Sequence, residues 1–103
     1  MIRNGDLVLI RDQESAAHYF GFLIKKDLNI VDLAIPIIDR AGNEGIPIYR
    51  LGYQTCMRID LDYIFNCSIN QYVLAWFQKN LRNIEQGLTS NHLIVREWAK
   101  MNL

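Results

Sequence analysis

The side chains able to do chemistry are few, and they are scattered along the chain. Asp60-Leu61-Asp62 sets two carboxylates two positions apart, with Arg58 just before them. On a strand all three would share one face. Paired carboxylates hold a hard cation or share acid–base work only where partners converge and water is partly excluded. On the wet face of an alternating strand the same residues are solvated charges, and that is the expectation here. His18 and His92 are the only imidazoles, and neither has a sequence neighbour that would make it a general base or a metal ligand. His18, at the mouth of a strand and near Arg11-Asp12, is the stronger candidate. Arg40, in a loop with Gly42 and Gly45, and Arg50, on the strand that follows, could form a small anion-binding face with Arg11. Guanidinium forks match phosphate and carboxylate oxygens. With Asp39 and Glu44 adjacent, a solvated mixed-charge loop is the plainer reading. The catalytic candidates are therefore His18, Arg11, Arg40 and Arg50, with no metal-ligand spacing and no cofactor signature. Cys56 and Cys67 make neither a disulfide framework nor a zinc quartet, so they read as buried free thiols.

The elements that must position these residues are mostly extended. Leu7 to Ile10 is a short apolar run behind the Asn4-Gly5-Asp6 turn. Tyr19 to Ile24 is apolar on both faces, which predicts a central strand, and Gly21 in its middle predicts a bulge or a close backbone approach. Ile30 to Ile38 alternates until Pro36, which confines that end to an edge. A loop over 39–45 follows, then a short strand from Ile46 to Leu51 restricted by Pro47. Thr55 to Tyr63 alternates, with Met57, Ile59, Leu61 and Tyr63 on one face and charges on the other.

A helical stripe takes over with Ile69, Val73, Phe77, Leu81, Ile84 and Leu88. Ser68-Ile69-Asn70-Gln71 matches a capping box, and Gly87 is a natural stop. The pattern predicts one helix over about 69–86. Tyr72 and Trp76 widen its apolar flank beyond what a small sheet needs, so Tyr72, Trp76 and Trp98 are the expected interface residues, docking the terminal segment or a partner. The tail over 89–103 reads either as a helix through Leu93, Ile94, Glu97, Trp98 and Met101 or as a strand from His92 to Trp98; the spacing favours the helix. The expected fold is α+β: a small antiparallel sheet or barrel of about five strands over roughly 6–63, sealed by the amphipathic helix, in one domain.

Composition bounds function by exclusion. The chain has 103 residues, 50% apolar and 21% charged, which is globular composition. Eleven basic residues balance eleven acidic ones, so the surplus that drives non-specific duplex binding is missing. No apolar run approaches the roughly 20 residues that span a bilayer, and the opening residues do not read as a signal peptide. The expected location is cytoplasmic.

The ordered string Gly5-Asp6-Leu7-Val8-Leu9-Ile10, Phe20-Gly21-Phe22-Leu23-Ile24, Ala34-Ile35-Pro36-Ile37 and Met57-Arg58-Ile59-Asp60, with a helix from Ser68, resembles the MazF/PemK toxin family. That resemblance covers about residues 5–88 and implies an SH3-like barrel and cleavage of single-stranded RNA. The family's arginine before a proline at the second strand falls here on Tyr19-Phe20, and its serine or threonine after Pro-Ile falls on Ile38, so neither functional residue is matched. The leading expectation is a non-enzymatic binding or regulatory protein of bacterial, phage or plasmid origin, acting on a protein partner or as a homodimer. The alternatives are a divergent ribonuclease toxin of a toxin–antitoxin pair, using His18, Arg11, Arg40 or Arg50, and a small nucleic-acid-binding barrel with RNA as its ligand.

Overall fold

The protein is described by a computed structural model that covers residues 1–67 and 70–103. The capping-box residues Ser68 and Ile69 lie outside the described residues. The chain forms β1 (Leu7–Asp12), β2 (His18–Lys26), β3 (Ile30–Ala34), β4 (Ile37–Ile38), β5 (Glu44–Gly45) and β6 (Ile48–Arg58). Four helices follow: α1 (Leu61–Asn66), α2 (Gln71–Asn80), α3 (Ile84–Leu88) and α4 (Leu93–Met101). The fold is α+β, with a four-stranded antiparallel sheet, a separate two-stranded one and helices packed beside them. No described helix is long and apolar enough to cross a membrane.

β1 pairs with β2 in a register running from Leu7↔Phe22 to Arg11↔His18. β2 pairs with β3, and β3 pairs with the first half of β6 from Ile30↔Gly52 to Ala34↔Ile48. The second half of β6 pairs with β1, Val8↔Arg58 through Asp12↔Tyr53. Each of the four strands therefore has two neighbours, because the long β6 is shared between β3 and β1 and the sheet curls. That curl explains why β1 is apolar on both faces. Leu7 and Leu9, with Phe20 and Phe22, turn toward the helices, where Phe22 lies 5.9 Å from Phe77 and 6.2 Å from Trp98 between ring centroids. Val8, Ile10, Leu23 and Leu33 are buried on the other side. Gly21 makes the curl sterically feasible: a β-carbon there would collide with the Ala34 carbonyl oxygen.

Several elements depart from the sequence pattern for local reasons. The strand expected through Tyr63 stops at Arg58. The Ile59 amide donates to the Leu7 carbonyl, and the Asp60 carboxylate then accepts from the Tyr63 amide at 2.8 Å, capping α1. Aspartate is a strong N-cap, so Asp60 and Asp62 belong to a helix start and not to one strand face. The Ile30–Ile38 stretch is divided at Pro36; its end becomes β4, which pairs with β5 as a small hairpin. The single helix expected over about 69–86 is two. α2 ends at Leu81, whose backbone leaves the helical region (φ −150°, ψ 65°), and the Asn83 side chain caps α3 by accepting from Gln86. Gly87 lies inside α3, close beneath Ala99 of α4, and does not end the helix. The tail takes the helical alternative as α4, burying Val95, Trp98 and Ala99.

Candidate functional site

The β1–β2 connection is braced by one carboxylate. Asp12 accepts from the amides of Glu14 (3.2 Å) and Ser15 (2.8 Å) and from the Ser15 hydroxyl (2.9 Å). These bonds, led by the Ser15 amide, hold its carboxyl below the usual aspartate range. Ala16 adopts a left-handed backbone (φ 58°), and the Asp12 amide donates to Ala17, closing the turn. The turn sets Arg11 directly across from His18, with Thr55 on the other side of Arg11. All three continue the pleat face of Leu9, Phe20 and Met57, but lie at its exposed end.

The N-terminus of α2 abuts this end. Asn70 caps it by accepting from Tyr72 (2.9 Å) and Val73 (3.3 Å). Asn70 also lines two adjoining depressions. The smaller, about 120 Å³, is walled by His18, Tyr19, Phe20, Ile35 and Val73. The larger, about 580 Å³, is an open groove walled by Ile37, Asp39, Arg40, Ala41 and Tyr72. Arg40 comes from the β4–β5 turn and donates through Nε to the Tyr72 hydroxyl at 3.0 Å, which leaves its two terminal nitrogens for other acceptors. Asp39, next to it, is committed to the turn. Its carboxylate accepts from the amides of Ala41 and Asn43, both at 2.9 Å, with the Asn43 amide chiefly responsible for keeping its carboxyl below the ordinary range.

The hairpin is tied to α2 at its other end by Glu44, which accepts from Lys79 Nζ at 2.9 Å and Asn80 Nδ2 at 2.6 Å. Those two bonds, the Asn80 one first, hold the Glu44 carboxyl below the ordinary glutamate range. A depressed carboxylate contributes above its unfolded pKa, and the contribution disappears as pH falls through the folded value. Hydrogen-exchange protection of the Asn43, Glu44 and Gly45 amides is therefore expected to fall on acidification through that window. In Glu44→Gln the protection of the Glu44 and Gly45 amides is expected to be low already at neutral pH, and the pH dependence that remains is expected at the Asn43 amide, which the Asp39 carboxylate holds. A pH-independent wild type would remove Glu44 as the tie.

Two of the four sequence candidates, His18 and Arg40, thus line the two depressions at the start of α2, and a third, Arg11, is the cross-strand neighbour of His18. Among the described residues no carboxylate lies within ion-pair distance of any of them; the ion pairs use Lys25, Arg50, Lys79 and Lys100. Arg50 does not join them. It lies on the outer face of β3 and β6, bonded to Asp32 by Nε (2.8 Å) and by one terminal nitrogen (3.1 Å). His92 stands at the start of α4, with its ring 6.1 Å from Trp76. Of the expected interface residues, Trp76 and Trp98 are only 1% and 3% exposed. The wide helix flank is covered by the protein's own sheet and terminal helix, and only Tyr72 reaches the surface. Cys56 and Cys67 are half-buried free thiols, the first pushed up in pKa by burial. Among the described residues no cluster of three His, Cys, Asp or Glu has metal-holding geometry.

Sequence reasoning missed the groove itself. Ile35, Ile37 and Tyr19 read as core, and Asn70 as part of a capping box; that Asn70 sits where two loops meet has no sequence signal. The assembled end combines the Arg40 guanidinium, outside any ion pair among the described residues, a helix N-terminus of roughly half a positive charge and apolar walls. It can bind an anionic group beside an apolar one. No family model, curated protein or solved structure matches the chain.

Proposed function

We propose that this chain is a non-enzymatic binding domain that acts through protein–protein contact, with its contact surface at the start of α2. The observation that carries the reading is that Arg40 lines an open groove and His18 the cavity beside it, with Arg11 across the strand pair from His18, and none of the three lies within ion-pair distance of a carboxylate among the described residues. In a chain of zero net formal charge, guanidinium groups outside any ion pair are a recognition feature and not a general affinity for polyanions. The walls supply apolar contact, and the cations set orientation.

The test is selection from a random dodecapeptide library displayed on phage, against the immobilised chain. Enrichment of peptides whose binding weakens about tenfold or more in Arg40→Gln is the expected result. Failure to enrich any peptide, or enrichment indifferent to Arg40→Gln and His18→Gln, overturns the reading.

One observation favours a second reading, a divergent ribonuclease. Arg11 and His18 are cross-strand neighbours, a pairing that offers a phosphate clamp beside a general base. It predicts growth arrest on expression, relieved by His18→Ala or Arg40→Ala. Normal growth of a bacterial host at high expression counts against it.

A further inference from the structure

We infer that the segment recognised at this surface is an acidic, aliphatic peptide, whose carboxylate sits on Arg40 while an adjacent branched side chain fills the cavity beside Val73. The inference rests on the protein-contact reading and specifies its partner.

Arg40 is oriented before any partner arrives. Its Nε is engaged by the Tyr72 hydroxyl, so the guanidinium plane is fixed from one side, and the terminal nitrogens remain for an end-on, two-bond grip of a carboxylate. The neighbouring carboxylate of Asp39 lines the same groove but makes no ion pair with Arg40: its Oδ1 accepts the Ala41 and Asn43 amides and its Oδ2 accepts the Asn43 side-chain amide at 3.3 Å. The adjoining cavity of about 120 Å³ is lined by Ile35, Phe20 and Val73. Ligand pockets generally run to about 300–1,000 Å³; this one suits a single side chain. Both subsites share Asn70, so two nearby residues of one peptide reach both.

Tyr72 in the groove and Tyr19 and Phe20 in the cavity also present aromatic rings, the kind of surface on which bases stack. Ile37 and Ala41 in the groove and Ile35 and Val73 in the cavity are the aliphatic surface that a branched side chain covers, and binding of an oligonucleotide separates the two.

The same display selection, extended, tests the partner's chemistry. Enriched peptides are expected to carry Asp or Glu close to Leu, Ile or Val. Synthetic versions with the acids changed to amides are expected to bind about tenfold or more weakly. That loss should not add to the loss in Arg40→Gln, because both remove one contact. Arg40→Lys should restore only part of the affinity, since it keeps the charge but loses the fork. Peptides that depend on Arg40 yet bind equally well as amides overturn the inference and leave the protein-contact reading standing. Should no peptide be enriched while single-stranded oligouridylate shifts the backbone resonances of Arg40, Asn70 and Tyr72, both fall in favour of nucleic acid.

Discussion

Gly21→Ala is expected to destabilise the fold by about 3 kcal/mol or more, at the upper end of what an added methyl costs in a packed interior. The reason is the object that the methyl meets. An ideal β-carbon at Gly21 collides with the Ala34 carbonyl oxygen and also lies within 3.3 Å of the Ile35 α-carbon. A side chain could rotate away; these are backbone atoms of the neighbouring strand. Relief requires β2 and β3 to separate where Phe22 pairs with Ala34. That separation would also disturb Phe22, which is fully buried against Phe77 and Trp98. The measurement is urea unfolding, read as a fall in midpoint at constant slope. Gly45→Ala is the control. There the β-carbon meets only Pro47 Cδ, at 4.0 Å, and the midpoint is expected to move little. Equal midpoints for the two variants would mean that the strands do not approach as described.

Gly21 also shows what kind of information the sequence carried. A glycine amid Phe20, Phe22 and Leu23 signals close backbone approach, and the approach is there. The apolar run at Tyr19–Ile24 likewise announces a strand covered on both sides, because period two leaves no wet face, whereas Leu7–Ile10 reads only as a short strand and proves buried on both faces as well. Local capping chemistry is overridden in the sequence pattern wherever a longer alternation runs across it. Around Asp60, an alternation running from Met57 to Tyr63 looked like a strand. One carboxylate accepting the Tyr63 amide was enough to turn the chain into α1. Around Leu81, the spacing of the stripe survived the break: Leu81 is fully buried although it belongs to no helix. A pattern of apolar positions reports which residues are covered, not whether the backbone is continuous between them. The cationic end was less legible still. Arg11 faces His18 only because Leu7 pairs with Phe22, and Arg40 reaches Tyr72 across a separation of 32 residues. Neither adjacency exists before the sheet's register and the hairpin's docking are set.

The sequence pattern leaves Trp76 to dock either the terminal segment or a partner, and its burial, with His92 beside its ring, decides what its removal should do. Trp76→Ala is expected to cost about 3–5 kcal/mol, the range for deleting a large aromatic from a core. The ring packs 5.2 Å from Phe77, edge to face, between centroids, and the residue is 1% exposed. A surface anchor would change association and leave monomer stability alone. A core residue lowers stability equally at every protein concentration, and that concentration-independent loss in a thermal or urea melt is the expected result. Trp76→Phe should behave differently, for a polar reason. The indole Nε1 is buried with no hydrogen-bond acceptor among the described residues, and an orphaned buried donor costs about 1–3 kcal/mol. Phenylalanine gives up part of the ring's packing but also removes that donor. The two effects oppose each other, so Trp76→Phe should fall within about 1.5 kcal/mol of the parent. If it were as damaging as Trp76→Ala, the indole nitrogen would have to be satisfied in solution, and packing alone would account for the site.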